Sequence, residues 1–315
     1  MTDFLQYVIN GLAKGSVYSL LALGLVVIYR GTGHLNFAQG EMALFATFGT
    51  LWMYSQGLQL WAALIITALL SFLGGGVIEF GLMRPAGKKS PLAVVVVAIG
   101  LFQGLNALSG LVYKGSADGL HFPSLFPNGT NDFYRIGGTC KGSVCTGGVV
   151  WRYQDIGTLV TVLVLTALLF LLFQKTKVGL AMRMVANNPD SAKLVGVSTN
   201  RILMMSWGLS SAVGVVGGTV FAGITANINL FLMFQVFLLA SAAATLGGLD
   251  SPGGAVIGGL SLGVVESLVE NYPKHWWFGD YIGQSTAIAV AFVIILAVLL
   301  VKPSGLFGSS RVERV

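Results

Sequence analysis

The sequence predicts an all-α, polytopic helical membrane protein with about eight to ten transmembrane segments, two of them broken or re-entrant helices. Three observations carry that prediction. Residues 202–249 contain no Asp, Glu, Lys or Arg. As helix that run would be ~70 Å long, more than twice the ~30 Å hydrocarbon core of a bilayer, so it must cross, turn and return. Only 10% of the residues are charged and 55% are hydrophobic, with a mean hydropathy of +0.80; soluble domains carry ~25% charge. The 43 glycines suit membrane helices, whose backbones they allow to approach closely. A barrel is excluded, because alternating strands of about ten residues are absent.

Further charge-free runs lie at Met42–Ile78, Ser90–Tyr113, Ile156–Gln174 and Tyr281–Val301. Together they give candidate spans at 4–29, 40–55, 60–83, 91–113, 156–174, 202–222, 230–248, 254–270 and 281–301, in one transmembrane domain over 1–315. Basic clusters orient them. Arg84, Lys88 and Lys89, then Lys175, Lys177, Arg183, Lys193 and Arg201, then Lys302, Arg311 and Arg314 should lie in the cytoplasm. The loop 114–155 balances its bases with Asp118, Asp132 and Asp155 and should face outside. Full crossings by every span put the N-terminus outside. Asp3 and the lack of a basic n-region argue against a cleaved signal.

The net charge of +6 follows from the cytoplasmic bases and implies no nucleic-acid partner. Cys140 and Cys145 share the outer loop, where they form either a local disulfide or two free thiols; no cluster of metal ligands surrounds them. Asn128, Gly129 and Thr130 spell a glycosylation sequon. His34, His121 and His275 fall in different loops, so neither a triad nor a histidine metal site forms. The segment around Gly87 and Lys88 fails as a phosphate loop, with Leu82 in place of the first glycine and Lys89 in place of Ser or Thr. Four carboxylates sit in or beside spans. Glu41 and Glu79 are expected near cytoplasmic ends, Glu79 within reach of Arg84, and Glu270 near the outer end. Only Glu266 is expected to be deeply buried.

Two stretches interrupt the apolar pattern. GHLNFAQG at 33–40 resembles GGLDSPGG at 247–254, and paired breaks of this kind point to a transport path. The basic loop 175–201 holds a short helix over 188–196: Asn188 can cap it, Pro189 fits its first turn, Asp190 suits its positive end and Gly196 ends it. Its apolar residues, Ala192, Leu194 and Val195, are too few for strong membrane binding, which favours docking in a groove of another protein.

The strings LNFAQGE (35–41), VGLAMRMVANNPDSAKLVGVSTNRI (178–202), LGGLDSPGGAVIGG (246–259) and KPSGLFG (302–308) resemble the permease subunits of bacterial ABC importers for branched-chain amino acids, in particular the smaller of the two paired permeases. The resemblance runs from about residue 4 to 308 and is weakest in the loop 114–155. It implies a multi-pass protein of the bacterial inner membrane, not an enzyme. Its partners would be a second homologous permease, two cytoplasmic ATPase subunits and an external substrate-binding protein. This chain would hold no cofactor, ATP being bound by the partner subunits. The loop 175–201 aligns with the family's coupling loop, so Pro189, Asp190, Ala192, Lys193 and Gly196 would contact the ATPase. Asn36, Gln39, Gly40 and Glu41, with Gly247, Gly248, Asp250, Pro252 and Gly254, would form the translocation path. Close relatives carry urea or short amides. A proton-driven carrier using Glu266 or Glu41 is the competing class, and a channel a third.

Overall fold

The computed structural model describes residues 2–129, 132–137, 139–141, 144–146 and 148–271, and beyond them 289, 292, 293, 296–298, 300–302 and 305–308. The helices are α1 (Thr2–Thr32), α2 (Gln39–Ser55), α3 (Leu60–Ile78), α4 (Arg84–Gly87), α5 (Pro91–Val112), α6 (Tyr153–Lys175), α7 (Lys177–Asn187), α8 (Pro189–Leu194), α9 (Thr199–Thr225), α10 (Leu232–Gly247) and α11 (Pro252–Asn271). Among the described residues, six helical stretches are long and apolar enough to cross a bilayer. The exceptions among the expected spans are α2 and α10, with 17 and 16 residues, which adjoin the two interruptions. The span expected at 281–301 lies mostly outside the described residues, as do His275, Arg311, Arg314 and Thr130.

Between lipid and a leucine-rich helix there is little hydrophobic drive, so helices associate where small residues let backbones touch. The α1–α11 pair is built that way. A Cβ on Gly11 would stand 2.5 Å from the Val264 Cα, and one on Gly15 would stand 2.6 Å from the Gly259 carbonyl oxygen. One turn further, the Ser19 hydroxyl donates to the Val256 carbonyl at 3.0 Å. A second seam joins α3 to α9, where a Cβ on Gly75 would approach the Trp207 carbonyl to 2.6 Å and one on Gly208 the Phe72 carbonyl to 2.5 Å. These seams make α1 central: 89% of its most apolar window is buried, against 11% for α5. Leu69, Leu73 and Val77 on α3 and Leu163, Val164 and Leu168 on α6 face outward, as lipid-facing residues do.

Two groups of chain ends result. One gathers Gln56–Gln59, the loop 113–152 and the turn after α9; the other gathers the ends at 33–38, 84–90, 176–198, 248–251 and 302–308. The second group holds Arg84, Lys88, Lys89, Lys177, Arg183, Lys193 and Lys302 from the clusters expected in the cytoplasm. The outer loop contains short strands that the sequence pattern did not reveal. β1 (Leu120–His121) pairs with β6 (Asn227–Ile228), β2 (Phe133–Ile136) with β5 (Val149–Arg152), and β3 (Thr139–Lys141) with β4 (Val144–Thr146), all antiparallel. Phe122 and Leu125 are buried beneath it, and the Gln6 amide brackets Val150, donating to its carbonyl at 2.9 Å and accepting from its N–H at 2.7 Å. The loop is therefore fixed to the outer end of the bundle. In its hairpin Cys140 stands directly opposite Cys145.

Valine at Gly15 would place side-chain atoms against the α11 backbone, which has nowhere to retreat; we expect a loss of roughly 1–3 kcal/mol or more. A Cβ on Gly74 meets nothing within 4 Å, so Gly74→Ala should be neutral. Thermal melting of the two purified variants in detergent checks the contrast; equal melting temperatures would contradict the seam.

Candidate functional site

The 33–38 stretch does not stay at the cytoplasmic surface. After α1 ends, the chain turns back into the bundle, and α2 begins beside Ser210, which lies about three turns (~16 Å) into α9. The re-entry is held by side chains. The Asn36 carbonyl oxygen Oδ1 accepts from the Ala38 N–H at 3.0 Å. The Gln39 amide donates to the Ser210 carbonyl at 3.0 Å and accepts from the Ser210 hydroxyl at 2.7 Å. Asn36, Gln39 and Glu41 are all buried. A Cβ on Gly40 would come within 2.9 Å of the Phe237 Cβ, so glycine lets α10 close on this turn. Unwound backbone at membrane depth is tolerated only under such cover.

Two cavities flank the turn. The cytoplasmic one, about 420 Å³, is lined by Asn36, Glu79, Arg84, Lys88, Trp207 and the cytoplasmic helix residues Pro189 and Lys193. The other, about 340 Å³, is apolar, with Met42, Phe45, Trp52, Leu70, Leu105 and Tyr113 in its wall and Thr67 and Ser211 as polar spots. A plug of packed side chains separates them: Met42, Ala38, Met83, Ala98 and Trp207, with Ile28 behind. Helix α3 runs past both. At the level of the plug it widens into a π-helical turn, Glu79–Met83, a distortion common at functional sites. The turn directs Glu79 to Arg84, which grips it with Nε at 3.2 Å and a terminal nitrogen at 2.6 Å.

The intramembrane carboxylates therefore differ from expectation. Glu41 and Glu79 are as buried as Glu266. Nearness in sequence to a basic cluster does not fix depth when the chain re-enters. Glu79 does pair with Arg84. Glu266 accepts from the Tyr18 hydroxyl at 2.8 Å and lies 3.7 Å from the Lys14 ammonium, which pairs with Glu270 at 2.6 Å. These bonds tie α11 to α1 and give Glu266 a structural explanation.

The two interruptions also have different surroundings. Asn36 lines the cytoplasmic cavity, whereas Gly247, Gly248, Asp250, Pro252 and Gly254 line neither cavity. They form the tight turn between α10 and α11. Gly247 and Gly254 touch backbone to backbone, and Gly248 has φ +105. The C-terminal segment docks on the turn, with the Leu306 N–H donating to the Leu246 carbonyl at 2.8 Å and the Phe307 N–H to the Gly247 carbonyl at 3.0 Å. This geometry explains the glycines by packing.

The loop 175–201 contains two helices rather than one. Helix α7 was missed, although Val178, Met182 and Val185 fall at helical spacing; Met182 and Val185 are buried. Helix α8 forms as expected. The Asn188 side chain accepts from the N–H groups of Asp190 at 3.0 Å and Ser191 at 2.9 Å. Gly196 has φ +83, and the Val197 N–H closes the end on the Ala192 carbonyl at 3.0 Å. The Lys193 ammonium, 2.8 Å from Asp190, donates to its carboxylate and holds that carboxyl below the usual range. Ala192 is the exception: it is only 1% exposed, packed with Val185 and Ile202 toward α9, so it has no surface to offer a partner. Leu194 and Val195 are 89% and 65% exposed and present the apolar surface instead.

Against known proteins, the family described as branched-chain amino acid transport system / permease component matches residues 7–301. The chain belongs to this family. The high-affinity branched-chain amino acid transport system permease protein LivH of Salmonella typhimurium is 30% identical over 99% of this chain and 98% of its own length. LivH of Escherichia coli matches at the same identity and coverage, and BraD of Pseudomonas aeruginosa at 28%. The galactose/methyl galactoside import permease MglC of Escherichia coli is 31% identical over 42% of this chain and 38% of its own length. These relatives are transport permeases, not enzymes, and this permease is a multi-pass membrane protein. Within it, α8 is the element whose cap is fully exposed to analysis by substitution. Asn188→Ala should cost about 1 kcal/mol of local helix stability. Hydrogen exchange of the 189–194 amides should quicken while global melting stays unchanged; unchanged exchange would refute the cap.

Proposed function

We propose that this permease forms the membrane path of an ATP-driven importer for branched-chain amino acids, paired with a second homologous permease in the bacterial inner membrane. Two cytoplasmic ATPase subunits drive it, and an external binding protein delivers substrate. The observation that carries this reading is the position of α8. Pro189 and Lys193 line the cytoplasmic cavity, while Leu194 and Val195 on the same short element are exposed. A partner that grips the outer surface of α8 therefore acts directly on the mouth of the cavity.

Several contacts support a mechanical route inward. Helix α8 is closed at both ends, by the Asn188 cap and by Gly196, so it moves as a unit. Its Ala192 is embedded against α9, which carries Trp207 in the plug. ATP binding and ATPase closure would displace α8, and α9 would carry the shift to Trp207 and Ser210. The free energy comes from the different affinity of the ATPases for ATP in the two states. The coupling surface is then Pro189, Asp190, Lys193, Leu194, Val195 and the turn at Gly196. The path is Asn36 to Glu41, with the two cavities in series. The apolar lining of the second cavity suits a branched aliphatic side chain better than a polar amide.

The outer loop is the natural seat for the binding protein, since it is fixed to the bundle and carries exposed Tyr134 and Ile136. We also infer a Cys140–Cys145 disulfide. Directly opposed residues of an antiparallel pair have Cα atoms about 4.5–5.5 Å apart, within the span a disulfide needs.

Leu194→Asp and Gly196→Val test the coupling surface. Each should abolish ATP-driven leucine uptake in proteoliposomes containing both permeases, the ATPases and the binding protein, and should release the ATPase on purification. Membrane insertion should be normal. Full uptake by both variants would remove α8 from the mechanism.

A further inference from the structure

Glu41 stands in the first turn of α2 with no exposed surface. Its Oε2 accepts a hydrogen bond from the Asn106 side-chain amide at 3.0 Å, and its Oε1 has no partner among the described residues. None of the ion pairs formed among the described residues includes it. Asn106 cannot serve the second oxygen as well, because its amide also donates to the Leu230 carbonyl at 2.9 Å. An acid removed from water with half of its acceptor capacity empty is expensive to keep, and such groups inside membranes mark functional sites.

Its neighbours indicate the kind of group that completes it. Met42 and Leu105, which follow Glu41 and precede Asn106 in the chain, both line the apolar cavity of about 340 Å³. On the cytoplasmic side Asn36 lines the other cavity, and its amide contacts the Met42 sulfur at 3.4 Å. Glu41 and Asn106 line neither cavity themselves; the unsatisfied oxygen is buried one residue behind Met42 and Leu105, which form part of the apolar cavity's wall of Met, Leu and aromatic side chains. A ligand that satisfies both features carries a compact cationic donor on an apolar body. The α-ammonium of an amino acid is such a group, with three N–H donors to offer the carboxylate.

We propose that Glu41, positioned by Asn106, binds the α-ammonium group of the transported amino acid while the apolar cavity receives its side chain. This rests on the import reading above for the nature of the ligand. It adds the group that distinguishes an amino acid from an uncharged solute of the same shape. Binding of the ammonium gives the buried carboxyl group an oppositely charged, hydrogen-bonded partner, so an occupied turn is more stable than an empty one. That difference makes the passage selective.

The test uses the purified assembly of both permeases and the ATPases, without nucleotide or binding protein, and measures binding of radiolabelled leucine. The competitor is the α-hydroxy acid that carries a hydroxyl where leucine has its ammonium. Glu41→Gln should weaken leucine binding by roughly 100-fold, the range for stranding one member of a buried charged pair. Asn106→Ala should weaken it by roughly tenfold, since it leaves the charge but not its orientation. The hydroxy acid should not displace leucine from the unmodified protein at a hundredfold excess. Leucine binding by Glu41→Gln equal to that of the unmodified protein overturns the proposal, as does equal competition by the hydroxy acid or failure of the unmodified protein to bind leucine. If Glu41→Gln does not assemble, the competition experiment decides alone. ATP-driven uptake by the complete unmodified system is measured in parallel. Uptake without selectivity for the ammonium removes the role of Glu41 and leaves the import reading intact, whereas absent uptake removes the import reading.

Discussion

The structure depends on backbone contact between α1 and α11. In water, two leucine-faced helices would associate by burying apolar area; in lipid that gain vanishes, and close packing has to supply the attraction. Gly11 and Gly15 on α1 meet Gly259 and Gly263 on α11, so main-chain atoms are the contacting surface. Tyr18 and Lys14 then add hydrogen bonds to Glu266 and Glu270 along the same seam. Helix α10 joins through Gly258, where a Cβ would stand 3.0 Å from the Gly247 nitrogen, and the C-terminal segment locks the turn between α10 and α11. The result is a frame with little room to deform. Surfaces that touch through main chain have few alternative packings, because no rotamer change can relieve a displacement.

The empty volume lies elsewhere. The cytoplasmic cavity lies among the π-helical turn, α5, α8 and α9, and the apolar one among α2, α3, α5 and α9, with contacts among large side chains such as Met42, Trp52, Met83 and Trp207 along their walls. Such contacts can repack by rotamer change, which suits a barrier that must open. The barrier itself is apolar, made by Met42, Met83, Ala98 and Trp207, two of them flexible methionines. Beside it the re-entrant turn supplies the polar groups. A pathway for a zwitterion needs both: apolar closure against leakage of water and ions, and a fixed set of donors and acceptors at the constriction. The π-helical turn that follows α3 serves the same place, since it carries Met83 into the plug and Glu79 into the wall of the cytoplasmic cavity while keeping the helix continuous.

Much of the helical architecture was legible because charge is so costly in a bilayer that its absence marks each span. The breaks at 33–38 and 248–251 were visible from glycine and polar residues, and α8 from its cap, proline and terminal glycine. What the sequence did not disclose was depth and facing. Glu41 is expected near a cytoplasmic end, yet the re-entrant chain at 33–38 turns inward and carries it into the bundle. Ala192 is part of a helix we propose to dock, but a six-residue helix has an inner and an outer side, and only packing against α9 decides which residues fall where. The strings 33–40 and 247–254 look alike because both need tight turns. One needs them to cover a re-entrant chain and the other to bring two helices into contact.

Three buried carboxylates illustrate why the complement of bonds carries more information than burial alone. Glu79 is matched by a guanidinium that reaches both of its oxygens. Glu266 has a phenol on one oxygen and an ammonium 3.7 Å from the other. Each of these charges is neutralised by a residue of the same chain, and each pair joins elements whose relative position matters, the π-helical turn to α4 and α1 to α11. Glu41 has an amide on one oxygen and no partner on the other among the described residues, and the amide is neutral. Among the described residues the two other buried acids are paired completely, while the third keeps an open oxygen one residue behind the wall of the apolar cavity. Of the three, only there do the described residues leave completion open.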